Sequence, residues 1–179
     1  MSTNFLKKKI NEKSKLKPSS LYGLTKLKAE KYIQKKLKKA KIPFCIGRIF
    51  SFTHKKQTSD FVIPGIIKKA KSNKKIVYFE NTNHYRDFLS TSDICKAINI
   101  LFKKRANGIY NIGSGKKILI SHIIKLIFKK YKKIYKINEK NKSTWLVADI
   151  NKIKKFKWKP KNNILSIINE LALFIFYKI

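Results

Sequence analysis

Hydrophobic positions follow two alternating periods along the chain. Over residues 20 to about 41, Tyr22, Lys26, Ala29, Ile33, Leu37 and Ala40 recur at three- and four-residue steps, which places them on one helix face. Lys17-Pro18-Ser19-Ser20 supplies the preceding turn and a cap. Pro43 ends the helix, and residues 44–50, short and mostly apolar, read as a buried strand followed by a polar loop through Ser59. Asp60 is placed to cap a helix over about 61–70, with Pro64 in its first turn where the missing donor costs little. A strand at 76–79 leads through Asn81-Thr82-Asn83 to the short segment 86–89. Thr91 or Ser92 caps a helix over about 93–104, and Asn107-Gly108 turns into a strand at 109–112 that Gly113-Ser114-Gly115 closes. From Ser121, Ile123, Ile124, Ile127 and Phe128 share a helix side. A strand candidate at 134–137, the segment 145–149 and a final helix over about 164–177 complete the chain. Strands alternating with helices predict an α/β fold with mostly parallel strands.

Composition leaves that picture intact: 43% hydrophobic and 12% aromatic residues in 179 suit one folded unit with its own core. The formal net charge of +35 invites a nucleic-acid reading. Of the 44 basic residues, however, three are arginine (Arg48, Arg86, Arg105) and the other 41 are lysines scattered through every segment. Readers of phosphates and base edges draw on the bidentate fork of Arg. Abundant Lys, Ile, Asn, Phe and Tyr together match A/T-rich coding, which accounts for the charge more simply than a dedicated polyanion surface; nucleic-acid binding stays as the alternative. Cys45 and Cys95 lie far apart without metal-ligand spacing, His54, His84 and His122 are isolated, and no metal site is expected. A reduced, cytoplasmic protein is the simplest account. Residues 1–9 lack the apolar core of a signal peptide, and the apolar run 171–177 is too short to span a bilayer.

Tyr22-Gly23-Leu24-Thr25-Lys26 holds a phenol and an ammonium on adjacent turns, a pairing in which the cation favours the phenolate and so a proton exchange with a substrate hydroxyl. With 8 tyrosines and 41 lysines, chance supplies about two such spacings, and the chain has two, Tyr22 with Lys26 and Tyr32 with Lys36. Surroundings separate them. Residues 18–30, Pro-Ser-Ser-Leu-Tyr-Gly-Leu-Thr-Lys-Leu-Lys-Ala-Glu, resemble the active-site helix of extended short-chain dehydrogenase/reductases that modify nucleotide sugars. Further segments match in that family's order: Ile46-Gly47-Arg48-Ile49-Phe50, Phe61-Val62-Ile63-Pro64, Arg86-Asp87-Phe88-Leu89 through Asp93, Tyr110-Asn111-Ile112-Gly113-Ser114-Gly115, and Trp158-Lys159-Pro160. The loop 52–60 with Phe61-Val62-Ile63-Pro64 is most similar to the GDP-mannose dehydratase and GDP-deoxyhexulose reductase branch.

The resemblance implies Tyr22 as general acid or base and Lys26 as its partner, both also meeting the nicotinamide ribose of NAD or NADP. It implies Thr3, with Ser2 second, as the hydroxyl that polarises the same oxygen, and Arg86 as the contact to the diphosphate of a nucleotide-diphosphate sugar. The other reading of Arg86 is a salt bridge to Asp87 or Asp93, which are themselves expected to be structural caps; Arg48 is expected to support the sheet end. Ser51 stands where many members carry an Asn that touches the substrate, so that contact is left open. None of the six glycines forms the clustered loop that cradles a dinucleotide pyrophosphate.

The expected fold is therefore a truncated Rossmann-like, doubly wound sheet lacking its first strands, plus a small α/β substrate-binding lobe. Residues 1–53 and 92–113 would be the dinucleotide-domain remnant, and 54–91 with 114–179 the lobe. Met1 is read as an internal methionine of a longer ancestral enzyme, inactive alone; a nucleotide-sugar-binding module without redox activity stands as a further alternative. Its implied partners are a separate N-terminal half or a second copy through the Tyr22 helix, and NAD(P) binding is not expected of this chain by itself.

Overall fold

The structure, a computed structural model, describes residues 9–140 and 142–176. The first helix, α1 (Leu21–Lys39), starts where the hydroxyl of Ser20, in extended conformation, accepts the N–H of Gly23 at 3.1 Å. It ends before Lys41, whose φ of 55° reverses the chain ahead of Pro43. The side turned toward the protein carries Gly23, Leu27, Glu30, Gln34 and Leu37, each partly buried. The face predicted from periodicity is rotated from this by one residue, about 100°, and its Tyr22, Lys26, Ala29, Ile33 and Ala40 are exposed. The cause is electrostatic: Glu30 is drawn inward to Arg48.

Arg48 lies on β1 (Cys45–Ile49), which pairs in parallel with β6 (Gly108–Ile112), placing Arg48 opposite Asn111. The strand does not give way to loop at Ser51 as expected. The N–H of Phe50 still bonds the carbonyl of Ile112 at 2.9 Å, and β2 (Ser51–Thr53) then changes partner to run parallel with β5 (Phe88–Ser90). A second parallel pair joins β3 (Ile76–Glu80) to β8 (Ile134–Asn138). β4 (His84–Arg86) lies between β7 (Ile118–Leu119), antiparallel, and β9 (Thr144–Leu146), parallel. Mostly parallel pairing is thus observed.

Helices α2 (Val62–Ala70), α3 (Thr91–Lys103), α4 (Ile120–Lys130), α5 (Asn151–Lys154) and α6 (Ile164–Phe176) cover these strands. Ile63 and Ile67 of α2, Ile123, Ile127 and Phe128 of α4, Ile168 and Leu171 of α6, and Phe79 of β3 form one apolar core. Ile94, Ala97 and Leu101 of α3 join Tyr110, Ile112, Ile153 and Trp158 in a second. Strand alternation links them, because Phe88 packs into the first core and its neighbour Leu89 into the second. Exposed lysines occur on each of α1 to α5 rather than on one face.

Two caps differ from expectation. Asp60 takes the Thr58 hydroxyl, and α2 begins at Val62 after an N-cap, Phe61, that makes no side-chain capping bond. For α3 the cap is Ser90, whose hydroxyl accepts the Asp93 N–H at 3.1 Å, since Thr91 and Ser92 are already helical. The buried Asp93 carboxylate then accepts the backbone N–H groups of Lys161 at 3.1 Å and Asn162 at 3.0 Å, tying α3 to the entry of α6. Burial pushes the Asp93 carboxyl up, but these bonds, with those from the Asn162 and Ser90 side chains, outweigh it and hold it below its ordinary value. A carboxyl depressed in the folded state stabilises fully above the unfolded value of about 3.9 and loses that contribution as pH falls below it. Asp93→Asn is expected to cost about 2 kcal/mol at pH 7, and to lose less stability than the parent between pH 7 and pH 3, as urea unfolding at both pH values would register.

Candidate functional site

Tyr22 and Lys26 sit at the start of α1, with the Lys26 ammonium 5.5 Å from the centre of the Tyr22 ring. The second pair, Tyr32 and Lys36, has the same geometry at 5.4 Å, as one helix repeat requires, so the pair alone carries no distinction. What differs is the neighbourhood. Lys26, together with Gly23 and Leu27, lines a cavity of about 460 Å³ that Arg48, Phe50 and Asn111 close from the strands. Tyr22 itself is 72% exposed and does not line this cavity. Thr3 and Ser2 lie outside the described residues.

The helix is fastened to the strands by Arg48. Its Nε and Nη2 grip the Glu30 carboxylate at 3.0 and 2.6 Å, and its Nη1 donates to the Glu12 carbonyl at 3.0 Å. The Glu12 carboxylate in turn accepts the Asn111 N–H at 2.9 Å, and the Asn111 amide donates to the Ile10 carbonyl at 2.8 Å. Arg48 therefore does support the sheet end, and through Glu30 it also sets the rotation of the helix that bears Tyr22 and Lys26.

Arg86 ends β4 and lines a second cavity, of about 270 Å³, with Ser51, Thr53, Gln57 and Phe61. Phe50 lines both cavities, so the spaces beside Lys26 and Arg86 share a wall. The guanidinium has no carboxylate partner among the described residues. Asp87 is engaged elsewhere: buried, it accepts the N–H groups of Ser114 at 2.6 Å, Gly115 at 2.9 Å and Ala148 at 3.1 Å, besides the Ser114 hydroxyl. Asp93 is committed to Lys161 and Asn162. The salt-bridge reading of Arg86 is thereby corrected. Its Nη1 donates to the Tyr85 carbonyl and to the Thr144 hydroxyl, both at 2.9 Å. Burial draws the guanidinium below its ordinary pKa, yet an arginine stays cationic at neutral pH. A half-buried cation without a counter-charge is a place for an anion.

The turn 113–115 cannot serve as a pyrophosphate cradle, because Asp87 already occupies the Ser114 and Gly115 N–H groups. Glycine is needed there for approach: a Cβ on Gly113 would fall 2.4 Å from that of Ala148 and 2.7 Å from the Asp87 carboxylate. Among the described residues no group of three or more His, Cys, Asp or Glu is placed to hold a metal ion, and no helix is long and apolar enough to cross a membrane. Sequence reading missed Glu30 and Thr144 as site supports, since both act across 18 and 58 residues of chain. Only the Arg-Glu charge pair offered a signal.

Comparison with solved structures gives the class. Bacillus anthracis dTDP-glucose 4,6-dehydratase in complex with NAD superposes with a TM-score of 0.85 at 22% identity, over 96% of this chain and 57% of that one. The UDP-N-acetylglucosamine 4-epimerase of Methanobrevibacter ruminantium superposes with a TM-score of 0.83 at 19% identity, over 99% and 59%. The fold is the Rossmann-like α/β fold of NAD-dependent nucleotide-sugar epimerases and dehydratases. Within that class, the family model described as GDP-mannose 4,6 dehydratase matches residues 4–171, and the chain belongs to this family. Among curated relatives, a dTDP-D-glucose 4,6-dehydratase of Dictyostelium discoideum is 32% identical over 118 residues, 65% of this chain and 27% of that protein. A putative UDP-glucose 4-epimerase of Methanocaldococcus jannaschii is 28% identical over 171 residues, 89% of this chain and 56% of that one. The chain thus spans little more than half the length of that relative and of the solved structures.

Because Glu30 and Arg48 are 14% and 18% exposed, their bond is substantially shielded from water. Glu30→Gln is expected to cost about 2 kcal/mol and to raise amide exchange along α1 selectively, leaving α4 protected; hydrogen exchange read by mass spectrometry checks both.

Proposed function

We propose that this chain is the substrate-binding portion of an NAD(P)-dependent nucleotide-sugar epimerase, dehydratase or reductase, and that Arg86 receives the diphosphate of its substrate. The observation that carries the reading is the Arg86 guanidinium: half-buried, without a carboxylate partner among the described residues, and lining a cavity whose wall is shared with the space beside Lys26. Charge-assisted, two-pronged bonding of a diphosphate suits a guanidinium better than any of the exposed lysines. Relatives named as acting on dTDP-, UDP- and GDP-sugars support the substrate class.

In this reading a substrate anchored at Arg86 extends its sugar past Phe50 toward α1. There Tyr22 exchanges a proton with a sugar hydroxyl, Lys26 stands over its ring, and Thr3 assists at the same oxygen. Tyr22 and Lys26 fit the ribose end of a dinucleotide. The pyrophosphate end finds no fit in this chain, whose one strand-following Gly-x-Gly turn has its donors taken by Asp87, and no hydride step is assigned to the chain alone.

A phenol 72% exposed is solvated like any surface tyrosine, so its chemistry needs cover. Three features support cover by a dinucleotide-binding half, joined to this chain or separate. The patterned face of α1, with Ala29, Ile33 and Ala40, is exposed. Ile42 is 52% and Ile49 44% exposed beside it, and β1 pairs on one side alone among the described residues. Parallel sheets are normally buried and continued. In the same reading, 1–53 and 92–113 belong with the dinucleotide half, and 54–91 and 114–179 with the substrate. A homodimer through α1 would compete for the same face.

Calorimetry with GDP-, UDP- and dTDP-sugars is expected to give saturable binding for at least one of them, weakened at least about tenfold by Arg86→Met. Silence for all three, or no effect of the substitution, would contradict the reading. NADH fluorescence is expected to show no saturable binding to the isolated chain.

A further inference from the structure

We propose that Thr144 and His84 are positioning residues that aim the Arg86 guanidinium at a phosphate-bearing ligand, an inference that rests on Arg86 as the diphosphate contact. A guanidinium bonds oxyanions side-on through Nε and Nη2, and this chain displays that use in Arg48, whose Nε and Nη2 grip Glu30. Arg86 is held from the other side. Both protons of its Nη1 are committed, one to the Tyr85 carbonyl and one to Thr144 Oγ1, while no hydrogen bond among the described residues engages Nε or Nη2. The back of the fork is tied down and the gripping edge is left for an anion.

Thr144 is itself fixed. Parallel pairing of β4 with β9 sets it directly opposite His84, and Arg86 two residues on lies on the same strand face. The Thr144 N–H donates to His84 Nδ1 at 3.2 Å, and its hydroxyl oxygen lies 3.0 Å from the same nitrogen. Because His84 Nδ1 accepts the Thr144 N–H, that nitrogen carries no proton, so the Thr144 hydroxyl donates to it while accepting from Arg86, and the ring proton is assigned to Nε2. The result is a chain from His84 through Thr144 to Arg86. Its chemistry suits an anion site: a hydroxyl orients the guanidinium without neutralising it, whereas a carboxylate in the same place would compete with the phosphate.

The three arginines make the test direct. In chain labelled with 15N-arginine at pH 8, rotation about the Nε–Cζ bond is read from side-chain NMR, with Arg48 as the fixed control and exposed Arg105 as the mobile one. Arg86 is expected to rotate slowly, near Arg48. Thr144→Val speeds it severalfold, Thr144→Ser restores it, and His84→Ala falls between, all with Arg48 unchanged. Inorganic pyrophosphate is expected to shift the Arg86 Nε signal, with about tenfold weaker affinity in Thr144→Val, the size of one lost orienting hydrogen bond. An Arg86 that responds to pyrophosphate but rotates like Arg105, or ignores Thr144→Val, overturns the positioning. An Arg86 that is locked but indifferent to pyrophosphate overturns the ligand reading, and with it the purpose assigned to the lock.

Discussion

The buried carboxylate of Asp87 is the constraint on which the rest of the structure hangs. Its oxygens take backbone N–H groups from the turn after β6 and from the segment after β9, so one side chain joins three stretches far apart in sequence. An unpaired buried carboxylate is costly, and satisfied by several N–H donors it is rigid. It sits at the junction of β4 and β5, between Arg86 and Phe88. The same node thus fixes where the cation ends β4 and where Phe88 and Leu89 part into the two cores. Because its oxygens are taken by backbone donors and the Ser114 hydroxyl, Asp87 forms no salt bridge with the adjacent Arg86.

A second constraint governs the other half of the site. Arg48 reaches Glu30 and thereby turns α1 so that Gly23, Leu27 and Gln34 face the protein. Tyr22, Ala29 and Ile33 are left outward, and β1 pairs on one side alone among the described residues. In the proposed reading, this exposed face is the one that the dinucleotide-binding half covers.

Much of this is legible in the amino-acid sequence. The helices at 62–70, 120–130 and 164–176 follow from strong apolar periodicity, and the alternation of strands and helices yields the mostly parallel pairing. The ordered motifs lead to the family. What stays hidden depends on contacts across the chain: the continuation of β1 into β2, the cap at Ser90 instead of at Thr91 or Ser92, and the rotation of α1. Residues 51–53 look like a polar loop because their strand identity comes from β5, and nothing local encodes it. The fate of Arg86 is hidden for the same reason, since two acids close to it in sequence are engaged elsewhere in space.

The central claim, that Arg86 presents an unpaired guanidinium edge to the diphosphate of a nucleotide sugar, is tested most directly by a crystal structure of the chain grown with UDP-glucose. The expected result places diphosphate oxygens against Nε and Nη2 of Arg86, with Nη1 still on Thr144 and the sugar directed past Phe50 toward Lys26. A diphosphate seated on surface lysines while Arg86 faces water would contradict the account.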